Sequence, residues 1–73
     1  MIFVIDIDGD RQHYQKPFFK AEEAEDEIRQ FLTVKGYSDL ESDIIAGIAF
    51  RASFLGKTTK VYHDQFGTHV ELQ

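Results

Sequence analysis

The chain has no cysteine, one proline and only eight basic residues among its 73 positions. Without cysteine there is no disulfide, no thiolate zinc site and no cysteine nucleophile, so cohesion must come from packing. The shortage of bases argues against binding nucleic acid through its phosphates, which requires clustered Lys and Arg. Long hydrophobic runs are also missing. The amino-terminal stretch, Met1 to Ile7, is apolar but for Asp6 and meets Asp8 at once, which is too short and wrongly flanked for a leader or a membrane span. No internal repeat, linker or low-complexity stretch interrupts the chain, and residues 1–73 are expected to form one small domain.

Apolar and acidic residues are what the chain does contain. Hydrophobic residues make up 42% of it, including seven Phe and three Tyr, a composition that folds. Since a domain this short buries only about 60% of the surface of its unfolded chain, aromatics must supply much of the core. The net charge is -5 and is unevenly placed. Residues 1–43 carry eleven of the thirteen acids against five bases, and residues 44–73 the other two against three bases. Basic partners suit such a molecule.

The spacing predicts β-β-α-α-β-β. Ile2 to Ile7 is a β-rich run closed by Asp8-Gly9, a strong two-residue hairpin signal. That turn places Ile7 opposite Asp10, Asp6 opposite Arg11, Val4 opposite His13 and Phe3 opposite Tyr14. Pro17 ends the second strand for want of an N–H, and Phe18 and Phe19 are expected to anchor the entrance of a helix. Ala21, Ala24, Ile28, Phe31, Leu32 and Lys35 then recur at helical spacing. Gly36 suits the left-handed position past the helix end, and Ser38 with Glu41 matches a capping box that starts a second helix. Leu40, Ile44, Ile45, Ile48, Ala52 and Leu55 predict its buried stripe, although Phe50, Ala52 and Phe54 also alternate as in a strand, and Gly56 supplies a second stop. The helical reading of residues 48–55 is preferred.

Beyond Thr58 the pattern returns to β. A three-residue loop, Gln65-Phe66-Gly67, would set Tyr62 opposite Val70 and His63 opposite His69, with Tyr62, Val70 and Leu72 buried. The expected architecture is α+β: an antiparallel sheet of two hairpins with both helices on one face.

Val4-Ile5-Asp6-Ile7-Asp8-Gly9 resembles the first motif of haloacid-dehalogenase-type phosphotransferases, a buried strand ending in Asp-x-Asp-Gly. The resemblance implies Asp6 as nucleophile and Asp8 as acid and base, hence a small phosphotransferase or metal-dependent hydrolase. It covers six residues and ends at Asp10, where that family has Thr. The same residues read more simply as a strand and its hairpin turn, and this reading is preferred. Asp6, Asp8 and Asp10 do not follow calcium-loop spacing, since the sixth and twelfth positions are Arg11 and Pro17. His63 and His69 would chelate a metal across the last hairpin only with a third ligand, Asp64 or Glu71. Leu55-Gly56-Lys57-Thr58 lacks the earlier glycine of a phosphate loop. No catalytic residue, metal or cofactor is expected.

The remaining candidate is a surface. Glu22, Glu23, Glu25, Asp26 and Glu27 open the first helix, and Asp39, Glu41 and Asp43 open the second. These eight carboxylates would imitate a phosphate track and occupy the basic nucleic-acid groove of a partner protein. Phe50, Phe54 and Phe66 exceed what the core stripes need, so at least one of them is expected to contact a partner or a second copy. In size and acidity the chain resembles, as a class, small phage-encoded inhibitors of host machinery. That resemblance implies a non-enzymatic inhibitor (anti-restriction, anti-CRISPR or polymerase-directed) acting in the cytoplasm, the host's if the protein is viral. A homodimer joined through strand edges is the other structural possibility.

Overall fold

A computed structural model describes residues 1–73. In chain order the elements are β1 (Ile2–Ile7), β2 (Asp10–Gln15), a short 3-10 turn (Phe18–Lys20), α1 (Ala21–Val34), α2 (Asp39–Phe54), β3 (Thr59–Asp64) and β4 (Gly67–Leu72). This is the expected α+β succession. No helix is long and apolar enough to cross a membrane.

The first hairpin has the register its turn dictates, from Ile7 opposite Asp10 to Phe3 opposite Tyr14. Asp8 (φ 52°) and Gly9 (φ 87°) are both left-handed. A two-residue turn of the right twist requires this, and only Gly, Asn or Asp adopts it readily. Asp6 steadies the turn by accepting the Gly9 N–H at 3.0 Å.

The all-antiparallel expectation is overturned, because the four strands lie in the order β2-β1-β3-β4 and β1 runs parallel to β3. β1, Ile-Phe-Val-Ile-Asp-Ile, is by far the more apolar strand of its hairpin, and β2, Asp-Arg-Gln-His-Tyr-Gln, is polar. Burial therefore draws β1 to the middle of the sheet. If successive elements alternate in direction, the chain reverses four times on its way from β1 through β2, α1 and α2 into β3, so that β3 runs in the same sense as β1. Parallel strands need such a long crossover.

α1 buries Ala21, Ala24, Ile28 and Leu32, the expected stripe. Gly36 (φ 97°) ends it in the left-handed conformation. The Ser38–Glu41 capping box then starts α2, which is helical throughout. Its buried face differs from the expected stripe: Ser42, Ile45, Ala46, Ala49 and Ala52 are buried, whereas Leu40, Ile44 and Leu55 are exposed. Small side chains let α2 lie close to α1, β1 and β3, and interaxial distance follows the size of the residues at the contact. Phe3, Ile5, Ile7, Ala24, Ile28, Leu32, Ile45, Ala46 and Val61 belong to one twelve-residue core.

The last hairpin also departs from expectation, by one residue. Its pairs are Val61 with Val70, Tyr62 with His69 and His63 with Thr68, closed by Asp64 with Gly67. The loop is thus Gln65-Phe66, one residue shorter than predicted. Since side chains alternate faces, a one-residue shift exchanges the two sides: Val61 is buried in place of Tyr62.

Two buried hydroxyls, Ser42 Oγ and Thr59 Oγ1, have no hydrogen-bond partner. A buried polar atom left unpaired costs about 1–3 kcal/mol. Thr59→Val keeps the shape and removes the orphan, so it is expected to stabilise the protein by about 1 kcal/mol. Urea denaturation reads this as a raised midpoint at unchanged slope, and an unchanged or lowered midpoint contradicts it.

Candidate functional site

Two features stand out: a polar cleft at one end of the sheet and a mixed acidic and apolar surface over the helices. Their residues come from the same few turns.

The cleft has a volume of about 290 Å³ and is lined by Asp8, Lys35, Gly36, Tyr37, Glu41 and His63. Asp8 comes from the turn after β1 and His63 from β3, at the carboxyl side of this parallel pair, where ligands settle in open sheets. The Gly36-Tyr37 connection and the first turn of α2 provide the rest. Tyr37, only 7% exposed, donates its hydroxyl proton to the Asp8 carboxylate, whose two oxygens are both 3.3 Å away. The His63 ring meets the Tyr37 ring edge to face at 6.1 Å. Glu41 accepts the Ser38 N–H and hydroxyl on one oxygen and the Thr68 hydroxyl on the other.

Electrostatics follow from these contacts. Burial, then the charge of Asp8 and its hydrogen bond, push the Tyr37 phenol up to about 12. The Thr68 hydroxyl, then the Ser38 backbone and hydroxyl, hold the Glu41 carboxyl below its ordinary range. A carboxyl whose value is lowered on folding stabilises the fold above its unfolded value, about 4.3, and loses that contribution as pH falls through the folded value. The unfolding midpoints of wild type and Glu41→Gln are therefore expected to converge as pH drops from about 5 to about 3. A gap that stays constant over this range would remove Glu41 from the acid sensitivity of the fold.

The acidic surface is partly tied up within the molecule. Arg29 bridges Glu25 and Asp26 of its own helix and Asp43 of α2, the last at 2.8 Å, so one guanidinium gathers three of the predicted carboxylates. Lys16 holds Glu27 at 3.2 Å, and Glu41 serves the capping box. Glu22, Glu23 and Asp39 are exposed, and no salt bridge or hydrogen bond engages their side chains. Helical spacing alone sets Arg29 beside Glu25 and Asp26, four and three residues before it, whereas its reach to Asp43 depends on how α1 meets α2 and left no signal in the sequence.

The three candidate aromatics part company. Phe50 is half-buried, 6.3 Å from Phe3 between ring centroids. Phe54 stands edge to face with it at 5.1 Å and 59% exposed. Phe66, at the hairpin tip, is 82% exposed. Phe18, expected to pack at the helix entrance, is instead exposed and extends the row, 6.2 Å from Phe54. Phe19 is exposed as well. The outer side of α2 adds Leu40 and Ile44, exposed by 71% and 54%. These two sit one turn apart, with Asp39 and Asp43 beside them.

His63 and His69 do not come together, and Asp6 and Asp8 have different neighbours. The register puts His63 and His69 on opposite faces of the hairpin, His69 stacked on Tyr62 at 4.9 Å and bound to Asp64 at 2.9 Å. No group of three metal-ligating side chains occurs. Asp6 is occupied by the Gly9 N–H and does not line the cleft that Asp8 enters. Comparison with protein-family models, with curated proteins and with solved structures finds no match, so the functional reading rests on this chain's own residues.

Proposed function

We propose that this is a non-enzymatic interaction protein that presents α2 and the start of α1 to a protein partner with a basic surface. The nucleic-acid groove of a nuclease or polymerase is such a surface, and blocking it is the proposed action. With both helices on one face of the sheet, the helical layer is the side offered to the partner. The observation that carries this reading is the exposed pair Leu40 and Ile44 on a helix whose opposite face is already in the core, flanked by the carboxylates of Asp39 and Asp43. A helix apolar on two sides has a second surface to cover. Carboxylates around apolar anchors favour Lys and Arg opposite them and govern encounter and orientation.

Affinity capture from source cells, followed by titration of the purified partner, tests this. Ile44→Asp and Glu23→Lys are each expected to weaken the complex at least about tenfold, near 1.4 kcal/mol, with melting temperatures unchanged. Added salt should weaken it further. A complex indifferent to both substitutions and to salt refutes the assignment, and a wild-type mass of two chains that Ile44→Asp halves assigns the surface to a homodimer instead.

A further inference from the structure

The cleft beside the helices presents acceptors, and its one lining cation is engaged elsewhere. Asp8 and Glu41 take part in no salt bridge, unlike five other carboxylates of α1, α2 and β2. Lys35, the one cationic side chain in the lining, is drawn to Asp10 at 3.1 Å and lies over the Phe31 ring, 5.6 Å from its centroid. Asp10 and Phe31 are not among the lining residues.

His63 adds a third acceptor. The Thr68 hydroxyl gives its single proton to Glu41. Its oxygen is 3.1 Å from His63 Nδ1, so it must accept there, and Nδ1 carries the proton. In the neutral ring, Nε2 is then left with a lone pair. Asp8 and Glu41 also keep acceptor capacity beyond the contacts already described, since an ionised carboxylate offers about four acceptor sites. Tyr37, only 7% exposed, closes the inner end of the cleft, with the His63 ring against it.

From this arrangement we propose that the cleft binds an alkyl guanidinium or alkylammonium group, seated between Asp8 and Glu41 with the Tyr37 and His63 rings beside it. A guanidinium fits better than an ammonium, because its planar set of donors can reach two carboxylates at once. The group is either an Arg or Lys side chain of a protein partner or a free small amine. The first source rests on the interaction reading above; the cleft chemistry does not.

Proton–nitrogen correlation spectra of the whole chain, titrated with N-acetyl-arginine amide, test the cleft by itself. Saturable shifts are expected at the amides of Asp8, Gly36, Tyr37 and Glu41, with a dissociation constant on the order of millimolar. N-acetyl-lysine amide should bind more weakly. N-acetyl-citrulline amide, which keeps the shape and loses the charge, should not bind. Asp8→Asn removes one charge while tolerating the left-handed turn, and should weaken arginine binding about tenfold or more. Equal shifts with citrulline, shifts that never saturate, or an unchanged constant in Asp8→Asn each overturn the proposal. A third arm separates the sources. An arginine-containing peptide that binds more tightly than the capped residue points to a protein, and agmatine binding more tightly than either points to a free amine. Because the probe is a single residue, failure of the α2 surface leaves this result readable, and failure here leaves the α2 test intact.

Discussion

Phe50→Ala is expected to lower the stability of the protein by about 3 kcal/mol, whereas Phe66→Ala should change it by no more than about 0.5 kcal/mol. The contrast comes from position along one row of rings. Phe3 is fully buried, Phe50 of α2 packs on it, Phe54 meets Phe50 edge to face, and Phe18 closes the row at the surface. Truncating Phe50 opens a gap against Phe3 and also strands Phe54, whose best contact is lost. Truncating Phe54 removes one edge-to-face contact, worth about 0.5–1.5 kcal/mol. Phe66 touches no other ring. Since a domain of this kind has only about 5–15 kcal/mol of stability in all, Phe50→Ala should be visible as a large fall in melting temperature. The same series separates packing from binding, because a Phe that anchors a partner loses affinity at nearly constant melting temperature. Equal destabilisation by all three substitutions would mean that Phe54 and Phe66 are core, and the exposed end of the row would then have no role as a docking surface.

Much of this arrangement was legible in the residues. Asp8-Gly9 determines both a turn type and a register, so the first hairpin could be paired residue by residue. Gly36, Ser38 and Glu41 mark the helix boundary because each answers a local backbone need: a left-handed position, a free N–H at the helix start, and a carboxylate reaching back. Distant consequences were harder to read. The parallel pairing of β1 with β3 depends on which edge of the first hairpin is free and apolar, and the chain's local signals are equally compatible with an antiparallel neighbour. On α2, Leu and Ile outrank Ala in hydrophobicity, so a pattern reading buries Leu40, Ile44 and Leu55. The structure keeps Ile45 and Ala52 of that stripe but buries Ser42, Ala46 and Ala49 with them, because closeness of approach decides that contact. The second hairpin offered Gln65-Phe66-Gly67, where two loop lengths are possible and differ by one residue, enough to exchange its faces. The cleft was legible only in pieces: Asp8, Glu41 and His63 were each singled out for unrelated reasons, and Tyr37 carried no chemical signal.

Tyr37 is where the second large effect is expected, with Tyr37→Ala costing about 3 kcal/mol and Tyr37→Phe only about 1 kcal/mol. Tyr37 is only 7% exposed and belongs to the core, so removal of its ring leaves a cavity at the point where α1 turns into α2. The hydroxyl contributes separately through its bond to Asp8, which ties that connection to the tip of the first hairpin, 29 residues away in sequence. Titration reads the hydroxyl in its buried place beside Asp8. The phenol is raised from an ordinary value of about 10 to about 12 by burial, Asp8 and Glu41. A group that binds its proton more tightly when folded stabilises the protein fully below its unfolded value and loses that contribution as pH rises through the folded one. Wild type should therefore lose stability between about pH 10 and about pH 12 beyond what Tyr37→Phe loses over the same range. Guanidinium denaturation of the two proteins across that range measures the difference. Parallel curves would show that neither burial of the phenol nor its Asp8 neighbour ties its proton to the fold, and equal costs for the Phe and Ala variants would show that the ring fills no space in the core.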